Sequence, residues 1–298
     1  MRARPRFGRM RLQEAPNVRI GTRLAARSLH WIPRERISRG LGRLAAARTP
    51  TPLVRAAVRA FCRSWSVDLS DAVVPDGGFP TFDAFFTRAL RPGARPVDAD
   101  PEVFVSPCDG RLEDAGPIDH GASFRIKGRL YDVEELVADA ELARALDGGS
   151  FAVIYLAPAD YHRVHAPEHG RVVRVRHVPG SRFPVNAIGV QAIPRLLARN
   201  ERCLVVQRTV RGDLVVTVLV GALGVGSIRL AFDVPGANHG RPPACWDGEG
   251  PSLARGDHLG TFHLGSTVVL LAQAGAKPLV EAGRRVRMGI ALMRREIS

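Results

Sequence analysis

Three short apolar runs dominate the second half of the chain: residues 151–156, 214–220 and 267–271 are rich in Val, Ile and Leu and bounded by Gly, Pro or charged residues. Runs this short, punctuated in this way, predict buried strands. Helical spacing shows elsewhere. Beyond the loop at Gly77, Gly78 and Pro80, Thr81 stands where it caps a helix carrying Phe82, Phe85, Phe86 and Leu90 on one face, ending near Pro92-Gly93. Two shorter helices are expected over residues 133–146 and 187–199. Strands and helices alternate too irregularly for a doubly wound sheet. The expected fold class is therefore α+β, a mainly antiparallel β core with amphipathic helices at the N-terminus.

Those N-terminal helices have their own texture. After an Arg-rich stretch without apolar periodicity, Ile37, Leu41 and Leu44 recur at helical spacing. A second helix opens at Thr51-Pro52, with Val54, Val58, Phe61 and Trp65 on one side and Arg55, Arg59 and Arg63 in a separate stripe. The formal net charge of +14 sits here: residues 1–66 hold 16 arginines against Glu14 and Glu35, whereas residues 67–298 balance 27 basic residues with 27 acidic ones. The chain thus divides into a basic arm, 1–66, and a neutral globule, 67–298. An Arg-faced amphipathic helix suits an anionic bilayer, where each basic residue near the headgroups contributes about 1 kcal/mol. A blander reading has the helices packed on the globule with solvated arginines. Nucleic acid is not an expected partner, because no zinc-finger or RNA-recognition motif accompanies the charge.

Composition narrows the chemistry. At 298 residues, with 45% hydrophobic and 24% charged residues, the chain is globular and wholesale disorder is excluded. Lys127 and Lys277 are its only lysines, so pyridoxal phosphate would have two places to attach. Cys62, Cys108, Cys203 and Cys245 form no CxxC pair, which argues against a zinc ribbon or a disulfide scaffold and fits a reducing cytoplasm. No apolar run approaches 18 residues, so the expected protein neither spans a membrane nor is exported.

Three local features carry candidate chemistry. Ser106-Pro107-Cys108-Asp109-Gly110 puts a carboxylate in a turn after a short strand. Asp160-Tyr161-His162-Arg163-Val164-His165 places two histidines three apart after a strand ending at Ala157-Pro158. That spacing suits metal ligands, but no carboxylate or cysteine lies close enough in sequence to complete a site, and acid–base use competes with it. No metal is expected. Leu264-Gly265-Ser266-Thr267 precedes the last apolar run, where glycine gives the backbone freedom and a serine hydroxyl can approach the preceding carbonyl. An Asp, a His and a Ser far apart in sequence match the pieces of a nucleophile, base and orienter. The GxSxG elbow of serine hydrolases is missing.

At these residues the chain resembles bacterial phosphatidylserine decarboxylases. The likeness runs in order through Phe85-Phe86-Thr87-Arg88 to Arg95-Pro96, Ser106 to Gly110, Ile126-Lys127-Gly128 with Tyr131, and Ala157 to His165. It continues through Pro179-Gly180 leading to Val185-Asn186, then residues 198–202, 220–228 and 265–269, and so covers roughly residues 60 to 280. Cys108 stands where a small residue is more usual, and the tail beyond Ser266 is short.

The resemblance implies a proenzyme that makes its own cofactor. Ser266 Oγ would attack the Gly265 carbonyl, His165 would take the hydroxyl proton, and Asp109 would orient that histidine. Elimination would then cut the chain between Gly265 and Ser266 into 1–265 and 266–298, leaving a pyruvoyl group at 266. This covalent ketone, condensing with the substrate amine, would take the place of pyridoxal phosphate. His162 would supply the proton after carbon dioxide leaves. Arg163, Phe183 and Asn186 are candidates for holding the substrate. The implied partners are phosphatidylserine in an anionic membrane and the chain's own two pieces, and a homodimer is compatible. The implied location is peripheral, on the cytoplasmic face of the cell membrane. Another amino-acid substrate and a non-enzymatic membrane-binding role are the competing readings; the latter implies an uncut chain.

Overall fold

The computed structural model describes residues 40, 45–47, 51–185, 193–222, 227–263 and 266–296. The predicted helix through Ile37, Leu41 and Leu44, the loop residue Asn186 and the pair Leu264-Gly265 lie outside them, as do residues 187–192 of the helix expected over 187–199.

The described helices are α1 Thr51–Trp65, α2 Phe82–Phe86, α3 Val133–Val137, α4 Ala140–Ala145 and α5 Leu196–Arg199. The strands are β1 Val103–Val105, β2 Gly110–Pro117, β3 Ser123–Ile126, β4 Arg129–Asp132, β5 Ser150–Leu156 and β6 Arg163–His165. Then follow β7 Gly170–Val178, β8 Arg202–Thr209, β9 Leu214–Gly221, β10 Ile228–Leu230, β11 Cys245–Asp247 and β12 Ser252–Leu253. The last are β13 His258–Phe262, β14 Ser266–Ala272, β15 Ala276–Pro278, β16 Arg285–Val286 and β17 Ala291–Arg295.

The main sheet runs β11-β7-β8-β9-β14-β5-β2-β16, with β12 also on β7, and its neighbours are antiparallel. The α+β class with an antiparallel core is what the sequence led us to expect. β14 lies in the interior of this sheet: each of its residues pairs with β5 on one side and β9 on the other, Ser266 facing Leu156 and Gly221. Side chains alternate between faces along a strand, and here both faces are covered. Val268 and Leu270 enter one core with Ile154 and Leu219, while Val269 and Leu271 enter the other with Val153 and Val218. Burial on both sides explains why these strands read as unbroken apolar runs instead of alternating ones.

A smaller sheet, β10-β13-β6, carries the histidine motif, and β1-β17-β15 forms a third. A separate apolar cluster joins α1 to α2: Val54 and Val58 are buried with Phe79, Phe85 and Phe86, and the Phe61 ring meets those of Phe82 and Phe85 edge-on at 5.2 and 5.7 Å. The inner side of α1 is thus committed to the globule. Its outward side keeps Leu53, Arg59, Arg63 and Trp65 exposed.

Candidate active site

β5 delivers the chain at Leu156 into a tight turn that Asp160 closes. The Asp160 carboxylate accepts the Ala157 N–H at 2.7 Å, and the Asp160 N–H bonds back to the Ala157 carbonyl at 2.9 Å. The turn presents Tyr161, His162 and His165, all buried, against β13, where the Phe262 N–H bonds to the His162 carbonyl at 3.0 Å. Four residues past Phe262 comes Ser266, so one turn and one strand bring the histidine motif and the serine to the same end of the main sheet.

Each imidazole has a fixed tautomer. His162 Nδ1 lies 2.8 Å from the Asp160 carbonyl, an acceptor only, so Nδ1 carries the proton. His162 Nε2 is buried without a partner, and the ring lies on Phe86 with centroids 4.0 Å apart. Burial, with the Arg88 guanidinium adding to it, pulls His162 down to about 3, against the opposing bond to Asp160. His165 likewise donates Nδ1–H to the Gly256 carbonyl at 2.8 Å, leaving Nε2 to accept from the Tyr161 hydroxyl at 3.0 Å. Burial lowers the His165 pKa and pushes the Tyr161 phenol up to about 12, so the tyrosine is the donor. Gly256 sits at φ +87, where a Cβ would stand 2.7 Å from a Val97 methyl; glycine is required for its carbonyl to be aimed this way.

Asp109, expected to orient His165, makes no hydrogen bond to it; the Gly256 carbonyl and the Tyr161 hydroxyl hold the ring. Asp109 instead accepts Nε and Nη2 of Arg95, the latter at 2.7 Å, and the Met288 N–H at 2.8 Å. Arg95 also reaches Asp71 at 2.8 Å, and these two carboxylates raise its pKa. Asp109 still bears on His165 through its charge, which favours the imidazolium form. The next residue, Gly110, begins β2 so close to β5 that a Cβ would stand 2.5 Å from the Tyr155 carbonyl oxygen.

Ser266 opens β14 fully buried, and its Oγ has no hydrogen-bond partner. An orphaned buried hydroxyl is uncommon and costs about 1–3 kcal/mol. It fits a residue whose oxygen is consumed in chemistry. Just upstream, His263 Nδ1 bonds both oxygens of Asp83 on α2, at 2.8 and 3.0 Å, and the His263 N–H bonds the Ser227 carbonyl at 3.0 Å. His263, three residues before Ser266, is therefore pinned from two sides.

The other predicted residues are scattered. Arg163 donates Nε–H to the Thr87 carbonyl at 3.0 Å. Phe183 is buried in the second core, under the Arg199 guanidinium at 5.3 Å. Sequence alone assigns no role to Tyr161, Gly256, Arg95 or His263. Tyr161 lies inside the histidine motif, but nothing in the chain marks the glycine whose carbonyl sets a tautomer 91 residues away. Among the described residues no group of three His, Cys, Asp or Glu side chains is arranged to hold a metal, and no helix is long and apolar enough to cross a membrane.

A family model described as phosphatidylserine decarboxylase matches residues 82–294, a span that includes Asp109, both histidines and Ser266. The chain belongs to the phosphatidylserine decarboxylase family. A phosphatidylserine decarboxylase proenzyme of Acidovorax ebreus (strain TPSY) is 44% identical over 285 residues, covering 93% of this chain and 99% of its own length. Proteins of the same description from Anaeromyxobacter sp. (strain K) and Myxococcus xanthus (strain DK1622) are each 40% identical, covering 91% and 80% of this chain. "Proenzyme" in these names fits a family whose members are processed after synthesis.

Proposed function

We propose that this chain is a self-processing proenzyme that decarboxylates phosphatidylserine to phosphatidylethanolamine. The reading rests above all on Ser266: a buried, unpartnered hydroxyl at the head of a central strand, beside a turn holding two neutral imidazoles.

Ser266 Oγ attacks the Gly265 carbonyl carbon and the serine nitrogen leaves it, turning an amide into an ester. His165 takes the hydroxyl proton at Nε2, the nitrogen left basic by its bond to Gly256; the Tyr161 hydroxyl is the donor that serine must displace there. Asp109, clamped by Arg95, favours the imidazolium that forms by charge, without contact. Loss of the Ser266 α-proton and rupture of its Cβ–Oγ bond free Gly265 as a carboxylate. Tautomerisation and hydrolysis of the remaining dehydroalanine release ammonia and leave a pyruvoyl group at 266.

That group supplies a ketone that condenses with the substrate amine and takes up the electron pair released with carbon dioxide. His162, buried with Nε2 open, is the residue that relays a proton from solvent to the α-carbon after decarboxylation. The basic arm and the outward side of α1 dock the enzyme on an anionic bilayer, on its cytoplasmic face. Intact mass spectrometry of the purified protein tests the reading. The expected masses are those of 1–265 and of 266–298 lighter by one ammonia; a single uncut, inactive chain would overturn it.

A further inference from the structure

A cavity of about 600 Å³ opens beside this site, of the size that takes small ligands. Its inner wall holds Arg88, Asp109 and Tyr161, and apolar Trp65 and Ile290 also line it. Its charged groups are mostly committed to one another: Arg95 bonds Asp109 and Asp71, and Arg285 pairs with Asp160. Arg88 is different. The residue is 5% exposed, and its side-chain hydrogen bonds, both from Nη2, go to the main-chain carbonyls of Ala159 and Asp160. Nε and Nη1 are buried with no partner. A guanidinium withdrawn from water, bonded to no carboxylate and with donors unused, is expensive unless an anion joins it.

We propose that Arg88 is the seat of the substrate's phosphodiester, an assignment that rests on the decarboxylase reading above. Of the two anionic groups on that substrate, the carboxylate loses its charge as carbon dioxide leaves. A guanidinium holding it would stabilise the ground state more than the transition state and slow the reaction. The phosphodiester keeps its charge throughout, so gripping it binds without opposing the chemistry. Placed on Arg88, it leaves the amino-acid end to the neighbouring histidines, whose field Arg88 already enters at His162. Trp65 and Ile290 then meet the glycerol and the first acyl carbons. This differs from a seat on Arg163, whose Nε–H goes to the Thr87 carbonyl.

The test uses processed wild type, Arg88→Gln and Arg88→Lys. Carbon dioxide release from phosphatidylserine vesicles by the wild type is measured first, and its absence would defeat the decarboxylase reading itself. Calorimetry then compares glycerophosphoethanolamine with ethanolamine, which shares the amine and lacks the phosphodiester. The wild type should prefer glycerophosphoethanolamine at least tenfold; Arg88→Lys should keep part of that preference and Arg88→Gln none. On phosphatidylserine, Arg88→Gln should raise KM at least tenfold while kcat changes less than threefold. Equal binding of the two ligands by the wild type, which needs no variant to fold, would overturn the assignment. So would a preference that survives in Arg88→Gln, or a fall in kcat at unchanged KM.

Discussion

Of the four proposed site residues, Ser266 Oγ and His162 Nε2 are buried without a partner, while His165 and Asp109 are bonded. Ser266→Ala should yield one uncut, inactive chain by denaturing gel and intact mass. His165→Ala and Asp109→Ala should accumulate precursor, the second less severely because Asp109 acts by charge and not by contact. His162→Ala should mature and then turn over at least a hundredfold more slowly, the loss typical of a missing acid–base group. The buried imidazoles also fix a pH dependence. His162 and His258 are pulled by burial from 6.5 to about 3 and about 4, so between roughly pH 6.5 and 4 the unfolded chain binds more protons than the folded one. Stability is complete above that window and falls as the pH drops through it. His162 alone should lose about 2 kcal/mol between pH 6.5 and 5. Urea unfolding of the Ser266→Ala protein at pH 7 and pH 5 measures the fall, and adding His162→Asn should remove that share of it. At this scale the sequence disclosed residue types more readily than their bonds. The motifs offered Asp109, His162, His165 and Ser266 as candidates; that Gly256 and Tyr161 hold His165 was not legible, because a main-chain carbonyl leaves no residue-type signal.

Elements follow the same division. The three apolar runs became β5, β9 and β14, and Thr81 caps α2 by accepting the Ala84 N–H at 3.0 Å. The α2 helix ends at Phe86, short of the predicted Pro92-Gly93. Thr87 turns its hydroxyl back to the Asp83 carbonyl, Arg88 is drawn to Ala159 and Asp160, and Leu90 joins Ala72 in a bridge. The helix expected over 133–146 is two, broken where Ala138 adopts φ 54 and Asp139 caps a new start. Such breaks are tertiary decisions, and local periodicity does not carry them. For α1 the structure narrows the face available to the proposed docking. Val54 and Val58 are covered, and Arg55 donates to the Gly77 carbonyl, which leaves Arg59, Arg63, Leu53 and Trp65 turned outward. Arg59→Glu with Arg63→Glu should therefore weaken sedimentation with anionic vesicles and leave self-cleavage intact. Wild-type binding should fall as salt shortens the screening length, about 8 Å at physiological ionic strength. Equal binding of the variant and the wild type would mean that α1 is an ordinary packed helix.

Over the whole molecule, β14 is both the site of the proposed cut and an interior strand of the main sheet, paired along its full length on both sides. The piece 266–298 also supplies β15 and β17 to one sheet and β16 to the edge of another. The proposed cleavage would release a chain end while every one of these ladders stays closed. The cost appears only on unfolding. The precursor folds as a first-order process, its strands tethered; the cut enzyme would have to reassemble two molecules, one of them led by an almost wholly apolar strand with two bare edges. After dilution from urea, the Ser266→Ala chain should recover its native signal at a rate independent of protein concentration. The processed enzyme should recover little and lose more to aggregation as concentration rises. On the proposed cleavage, maturation would make folding a one-time event, and the active enzyme would be held in shape by the height of its unfolding barrier.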